Sequence, residues 1–426
     1  MSTFQAIASF LATNIFGQPA LLIALVAMVG LIAQRKSFSD TVMGAVKTMA
    51  GLLIVTIGAG VIVGALNNFT PIIQQAFGIT PVADKGMGLD KFMATYSGAA
   101  TLIMTFGFLI NVILARLTPF KYIYLTGHLM YWISLVMLAV MKEVSPDASM
   151  TSMVVVGSVI TGLYWTLQPA LIHRAMTRVT ESGAVAFGHT SASGAWLASI
   201  LGPLVGKPEE TTEKVTLPDN ISFVKDVTVG TSVVVGLVAV IAALFAGREF
   251  VSKQAGDMNY VIYTLLEGFK FGAGTTVLLV GVRMILAEIV PAFRGIATRI
   301  VPNAKPALDC PIVFNYAPMG VIIGFLSATA AFLVLMIIFG VTGFAVIIPP
   351  MIQLFFPGGA AGVFGNSTGG VKGAILGGAL MGALLAFGQA ITAPMLSTTA
   401  SQLALMADPD WYILILIFKP VLGLFM

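Results

Sequence analysis

The chain reads as long apolar runs closed off by short clusters of charge. A membrane-crossing helix needs ~20 consecutive, mostly apolar residues. Runs of about that size fall at 19–33, 42–66, 92–114, 122–141 and 150–172, then at 227–246, 261–290, 320–347, 373–391 and 411–426. Arg35-Lys36 closes the first, Arg116 and Lys121 the third, and His173, Arg174 and Arg178 the fifth. With these basic clusters cytoplasmic, the five spans alternate correctly from an outside N-terminus. Residues 3–16 place Phe4, Ile7, Phe10 and Leu11 on one face, which predicts an interfacial helix ahead of the first span rather than a cleaved leader. The pattern predicts an all-α polytopic membrane protein.

Two runs break the apolar pattern. Phe187-Gly188-His189-Thr190-Ser191-Ala192-Ser193-Gly194 lies within 183–201, and Phe364-Gly365-Asn366-Ser367-Thr368-Gly369-Gly370 lies far downstream. Each reads Phe-Gly-(His/Asn), then two hydroxyl residues and glycine. Glycine lets the backbone leave helical geometry, and in lipid such backbone survives only where protein covers it or where it lines a wet cavity. Both stretches are expected as re-entrant hairpins whose tips meet near mid-membrane, and paired interruptions of this kind point to a transporter's binding site. The most polar stretch, 202–226, is expected as a hydrophilic loop between repeat one (about 19–205) and repeat two (about 227–395), with a last membrane segment at 411–426. Residues 53–73 and 276–296 align on Gly58 and Gly281, and each copy runs on to an acid (Asp84, Asp309) and a Phe-Gly motif. The charge rule orients the copies oppositely, as in an inverted repeat.

Composition agrees. Of 426 residues 58% are hydrophobic and 9% charged, against about 25% charged in soluble proteins, and the mean hydropathy is +0.97. The formal charge of +4 comes mainly from the cytoplasmic flanks, so nucleic acid is not implied. A single cysteine, Cys310, excludes an intramolecular disulfide and a cysteine-based metal cluster. A nucleotide-binding P-loop is lacking. So are a gating-charge helix and a filter repeat, which weakens a channel reading.

Few residues could carry chemistry. His128 is read as lying mid-span, either facing a cavity or holding two helices together by a hydrogen bond. Tyr131 and Trp132 beside it offer flat amphipathic surface for stacking on a sugar. His189 has Thr190, Ser191 and Ser193 as neighbouring donors and acceptors; it either binds substrate or locks its hairpin. Two histidines can grip hydroxyls or an enolate, or relay a proton near neutral pH. Without clustered carboxylates or thiolates, neither a metal nor a cofactor is expected. Asp309 stands between the helix-breaking Pro306 and Pro311 and is read as a substrate contact or as an ion-pair partner of Lys305 or Arg299. Asp84, beside Lys85, reads as a solvated loop residue. Arg283 and Glu288 read as interdomain contacts or flank charges, and Cys310 as a packing residue rather than a nucleophile.

Taken in order, Thr126-Gly127-His128-Leu129-Met130, Phe187-Gly188-His189, Lys207-Pro208-Glu209-Glu210 with Leu217-Pro218, Val282-Arg283-Met284 with Ala287-Glu288, Ala307-Leu308-Asp309-Cys310 and Phe364-Gly365-Asn366 make the chain resemble the ascorbate-type enzyme IIC, the membrane permease of a bacterial phosphotransferase system. The resemblance covers nearly the whole chain. It implies a homodimer in the bacterial cytoplasmic (inner) membrane, with about eleven membrane segments per protomer, a substrate-carrying core domain and a V-shaped dimerisation domain. It implies elevator-like transport, with the substrate phosphorylated by a separate IIB protein that IIA recharges. No fused IIA or IIB is expected, since the lone cysteine lies at a membrane-level break. Carried over residue by residue, the substrate pocket is His128, Trp132, His189, Thr190 and Asp309, with Tyr131, Ser191, Asn366, Asp84, Lys85 and Gly86 as secondary candidates. The ascorbate pattern has glutamine where Trp132 and Thr190 stand and a Thr-Tyr pair where Lys85-Gly86 stands. The implied substrate is therefore ascorbate or a related small polyhydroxylated sugar or sugar acid. The alternative from another class is an ion-coupled secondary transporter of small organic anions.

Overall fold

The computed structural model describes residues 10, 14–15, 18–78, 86–216 and 218–425. The interfacial helix expected at 3–16 falls almost wholly outside them, as do Asp84 and Lys85. Helices α1 (Pro19–Ala33), α2 (Phe38–Ala76) and α3 (Leu89–Leu117) lead into strand β1 (Tyr122–Tyr124), then α4 (Gly127–Val144), α5 (Met150–Thr180), β2 (Ala186–Phe187) and α6 (Ala192–Leu201). After a run of short 3₁₀ turns come α7 (Val227–Ala246), α8 (Arg248–Ala255), α9 (Tyr260–Arg299), β3 (Lys305–Leu308), the single turn α10 (Pro311–Phe314), α11 (Pro318–Thr342), α12 (Met351–Thr392), the turn α13 (Gln402–Leu405) and α14 (Pro409–Leu422). Side-chain oxygens mark several starts. Ser37, Ser149, Asp226 and Asn259 each accept a backbone N–H from the first turn of α2, α5, α7 and α9, satisfying donors that a helix leaves unpaired.

Among the described residues, eight helices are long and apolar enough to cross a membrane: α2, α3, α4, α5, α7, α9, α11 and α12. Two shorter apolar helices, α1 and α6, stand beside these eight, and α12 enters that count once although its chain turns within the second Phe-Gly motif. That motif is helical as far as Gly370, whose φ of 57° and ψ of −147° turn the chain. The two arms of α12 then fold back on each other, Gly365 lying against Gly373 and Gly377 against Ala361. The chain thus turns back on itself at Gly370, the last residue of the motif. The loop at 202–226 does not float free: Gly202 and Gly206 pack on Gly369, and Asn366 Oδ1 accepts the Thr212 N–H at 2.8 Å.

The two longest unbroken helices, α2 and α9, cross antiparallel through small residues. A Cβ on Gly281 would sit 2.6 Å from the Gly51 carbonyl oxygen, and one on Gly274 would sit 2.9 Å from that of Gly58. Gly51 and Gly58 each lie 223 residues before Gly274 and Gly281, so the contacts are reciprocal under one offset.

The helical expectation is corrected at the centre of the bundle, where a three-stranded parallel sheet is buried in the order β1-β3-β2. Residues 122–124, read from hydrophobicity as the start of a span, are its edge strand, because the central strand β3 offers their backbone partners that helical winding would otherwise supply. A sheet edge in an apolar interior must be closed. Asn111 on α3 does this for β1, accepting from the Tyr124 N–H at 3.0 Å and donating to the Tyr122 carbonyl at 3.0 Å. Gln168 on α5 donates to the Phe187 carbonyl of β2 at 3.3 Å.

Candidate functional site

All three strands run the same way, so their C-terminal ends deliver three distant stretches to one place: Leu125–His128 after β1, Gly188–Thr190 after β2, and Asp309-Cys310 after β3. Ligands of parallel sheets characteristically bind outside the carboxyl ends of the strands. The seam continues past the strands, with the Leu125 N–H donating to the Ala307 carbonyl at 3.0 Å and the Gly188 N–H to the Leu308 carbonyl at 2.7 Å. Thr126 Oγ1 donates to the Gly188 carbonyl. Only glycine fits at 188, since a Cβ there would lie 2.7 Å from the carbonyl carbon and oxygen of Ala307.

Asp309 sits between two imidazoles. Its Oδ1 is 3.6 Å from His189 Nε2 and its Oδ2 is 3.7 Å from His128 Nε2. Oδ1 also accepts the Cys310 N–H at 2.7 Å, which fixes the carboxylate plane. His189 is buried, whereas His128 is about half exposed. His128 does not lie mid-span: it occupies the first turn of α4, immediately after the sheet. The His189 tautomer follows from its surroundings. The Ser191 N–H donates to Nδ1 at 3.1 Å, so Nδ1 is the acceptor and Nε2 carries the proton that faces Asp309. Ser191 Oγ lies 2.8 Å from the same Nδ1.

These residues open onto a cavity of about 650 Å³. One wall is polar: His128, His189, Asp309, Asp408 and Gln353, with Trp132 and Trp411 stacked at a ring separation of 6.2 Å. The other is apolar and comes from α1, α2 and α9, with Ile23, Leu52, Val55, Leu278, Val282 and Ile285.

Of the expected pocket residues, His128, Trp132, His189 and Asp309 line this cavity. Thr190 is fully buried, and its hydroxyl donates to Asp408 Oδ2. Ser191 supports His189 from behind. Three secondary candidates lie elsewhere. Tyr131 turns away, its hydroxyl bonding to Ser97 Oγ at 3.1 Å. Asn366, near the α12 hairpin tip, is spent on Thr211 and Thr212. Gly86 abuts the carbonyls of Ser397 and Thr399. Asp84 and Lys85 are outside the described residues. The Phe-Gly motifs do touch, the rings of Phe187 and Phe364 meeting edge-on at 5.1 Å. Asp309 pairs with neither Lys305 nor Arg299; Lys305 Nζ instead bonds to His173 Nε2 at 2.7 Å. Arg283 Nε donates to Asn315 Oδ1 at 3.1 Å, and Glu288 lies 3.5 Å from Lys47.

The segment Asp408-Pro409-Asp410-Trp411 was not singled out from the sequence, yet it closes the site. Asp408 holds Thr190. Asp410 accepts from both the N–H (2.9 Å) and the hydroxyl of Ser193 at the start of α6, and from the Tyr164 hydroxyl at 2.7 Å. The Asp410 N–H donates to the Thr190 carbonyl at 2.9 Å. A signal was present: residues 373–418 contain no charged side chain except these two aspartates, and ionisable groups at membrane depth are functional candidates by default.

His189, Asp309 and Cys310 each offer a metal-ligating atom, all within 4.8 Å of one another. For Nε2 of His189 to ligate a metal its proton would have to move to Nδ1, where it would face the Ser191 N–H.

Sequence comparison adds the family. The profile described as "PTS system sugar-specific permease component" matches residues 14–410. The chain is also 26% identical to the "Ascorbate-specific PTS system EIIC component" of Mycoplasma pneumoniae, over a 416-residue alignment covering 85% of this chain and 63% of that one. A polytopic helical bundle with a family match across nearly its whole length, this chain belongs to the sugar-specific permease components of phosphotransferase systems. The chain spans less than two thirds of the length of that relative.

Proposed function

We propose that the protein is the substrate-translocating IIC subunit of a bacterial phosphotransferase system. It would import a small polyhydroxylated substrate, ascorbate or a related sugar or sugar acid, across the cytoplasmic membrane. The observation that carries this reading is one carboxylate between two imidazoles. Gaps of 3.6 and 3.7 Å exceed hydrogen-bond length, yet an oxygen can lie ~2.8 Å from both members of each pair. Each pair can therefore share one hydroxyl, with the imidazole N–H donating and the carboxylate accepting, and two such sites side by side suit adjacent hydroxyls of one molecule. A hydroxyl whose proton passes to Asp309 keeps an oxygen lone pair free to attack phosphorus on a donor protein; the oxygen–phosphorus bond forms as the bond from phosphorus to the donor's side chain breaks, and that side chain leaves with its electron pair. That donor is a separate IIB protein, recharged by IIA.

The two unlike walls support elevator-like movement, and the homodimer is what the family resemblance implies. The polar wall is bonded into one body through the sheet, whereas the apolar wall makes few directional bonds and resists sliding little. Reconstituted vesicles test the reading. Uptake is expected only with phosphoenolpyruvate and the soluble phosphotransferase proteins present, and the product should be phosphorylated. Accumulation of unmodified substrate on a sodium or proton gradient alone would establish the ion-coupled alternative instead.

A further inference from the structure

We infer that Arg283 and Asn315 form a seat for a phosphoryl group beside the cavity, meeting the charge that the substrate acquires on phosphorylation. The inference rests on the reading of the chain as a phosphotransferase permease and adds a second subsite to it.

The need for such a seat follows from charge. A phosphate monoester carries about −1.5 to −2 at pH 7. The cavity meets its ligand with the carboxyl groups of Asp309 and Asp408 and, among its described lining residues, with no lysine or arginine. That lining suits a hydroxyl. It repels the same molecule once phosphorylated, so the added charge has to be met by a cation next to the cavity.

Arg283 is the one basic residue between Phe271 and Phe293 on α9. It directly follows Val282, which lines the cavity, and it is exposed. The only acid in that stretch, Glu288, lies 3.5 Å from Lys47 instead. Among the described residues no carboxylate lies within ion-pair distance of Arg283. A cation in a membrane-crossing helix without an acidic partner is a candidate functional group.

The donors around it lack acceptors. Arg283 Nε donates to Asn315 Oδ1 at 3.1 Å. That bond fixes the amide orientation and leaves Asn315 Nδ2 buried without a partner. The terminal guanidinium nitrogens have no acceptor among the described residues either. A phosphoryl group brings three acceptor oxygens, which an arginine fork grips two at a time.

The position suits a ligand leaving the cavity. Asn315 follows the single turn α10, three residues after the lining residue Ile312, which is ~5 Å along a helix. The pair thus spans the two walls, Asn315 from the segment that follows β3 and Arg283 from the apolar α9. The nearby start of α11 does not compete for the anion, because its Met319 N–H already donates to Glu213 Oε1 at 3.0 Å.

The test is arginine modification by phenylglyoxal in the purified full chain in detergent, with inorganic phosphate as the probe. Peptide mass spectrometry follows each arginine separately. Phosphate should slow labelling of Arg283 roughly threefold or more relative to chloride at equal ionic strength, with Arg299 unaffected. Equal effects on the two arginines, or none, overturn the inference without any variant. Protection by phosphatidylglycerol but not by inorganic phosphate would assign the pair to a lipid headgroup and overturn it as well. In vesicles with phosphoenolpyruvate and the soluble phosphotransferase proteins, the substrate is ascorbate or D-xylose, whichever the native protein phosphorylates. Arg283→Gln should lower kcat about tenfold, as loss of a charge-assisted bond implies, with KM changed less than threefold and Arg283→Lys partly restoring the rate. An unchanged kcat, or a parallel loss in kcat and thermal stability that Arg283→Lys does not relieve, would mark a structural role and sink the inference. Phosphate protection without any phosphoenolpyruvate-dependent uptake would instead sink the permease reading, leaving an anion seat with no product to hold.

Discussion

Asn111 stands against Tyr124 as a side-chain substitute for a fourth strand. Its amide oxygen accepts the Tyr124 N–H while its amide nitrogen reaches the Tyr122 carbonyl, each at 3.0 Å. Removing this amide leaves two buried backbone groups unpaired, and each costs about 1–3 kcal/mol. Asn111→Leu should therefore lower the melting temperature in detergent and weaken substrate binding, since β1 leads directly to His128. Unchanged stability would mean that water or another group closes that edge.

Asp309→Asn should weaken binding without unfolding the protein. The variant keeps an acceptor for the Cys310 N–H but loses the charge that two imidazoles flank. Hydrogen bonds to charged groups contribute about 1.5–3 kcal/mol, and 1.4 kcal/mol is tenfold in affinity. The dissociation constant should rise by roughly 10- to 100-fold, measured by titration calorimetry against a ligand that the native protein binds.

Gly188→Ala tests whether the close approach of two strand ends sets the position of His189. The new methyl would lie 2.7 Å from the Ala307 carbonyl, and relieving such overlap costs about 1–3 kcal/mol. The expected outcome is a modest loss of stability with a disproportionate loss of affinity, because the displaced residue is next to the histidine. A loss of stability alone would argue that the sheet absorbs the shift before it reaches the site.

Asp410→Ala should separate α14 from α6. Three donors lose their acceptor, the N–H and hydroxyl of Ser193 and the hydroxyl of Tyr164, and an N-cap alone is worth about 1 kcal/mol. Lower thermal stability and faster proteolysis within residues 401–425 are expected, with Asp410→Asn retaining much of the native behaviour. Equal behaviour of the two variants would show that shape rather than hydrogen bonding holds the helix.

The membrane character, most helix positions and the two histidine motifs were legible because they depend on local hydrophobicity and on residues costly to place in lipid. The sheet was not. Strands of two to four residues have too few positions to show alternation, and Tyr122–Tyr124 is as apolar as a helix start. Reading them as helix put His128 mid-span instead of at a strand end. The second Phe-Gly motif marked a turn without fixing its residue: glycine permits a turn but does not require one, and of the motif's glycines only Gly370 takes the positive φ. Asp408 and Asp410 are marked in the sequence only by their isolation in an uncharged stretch. Their partners, Thr190 and Ser193, lie more than two hundred residues earlier, a proximity that no local pattern carries.

The strand order β1-β3-β2 has a consequence for biosynthesis. β1 and β2 never touch each other; each pairs only with β3, which emerges from the ribosome after both. Until residue 308 has been made, their ladder groups lack the partners they hold in the native state, and the histidines they carry have no fixed relation to Asp309. The first half of the chain must therefore be inserted with its recognition residues unassembled, and the second half supplies the part that organises them. Thiol labelling of a cysteine introduced at Thr126, in nascent chains arrested before and after residue 308, should show protection appearing only in the longer chains.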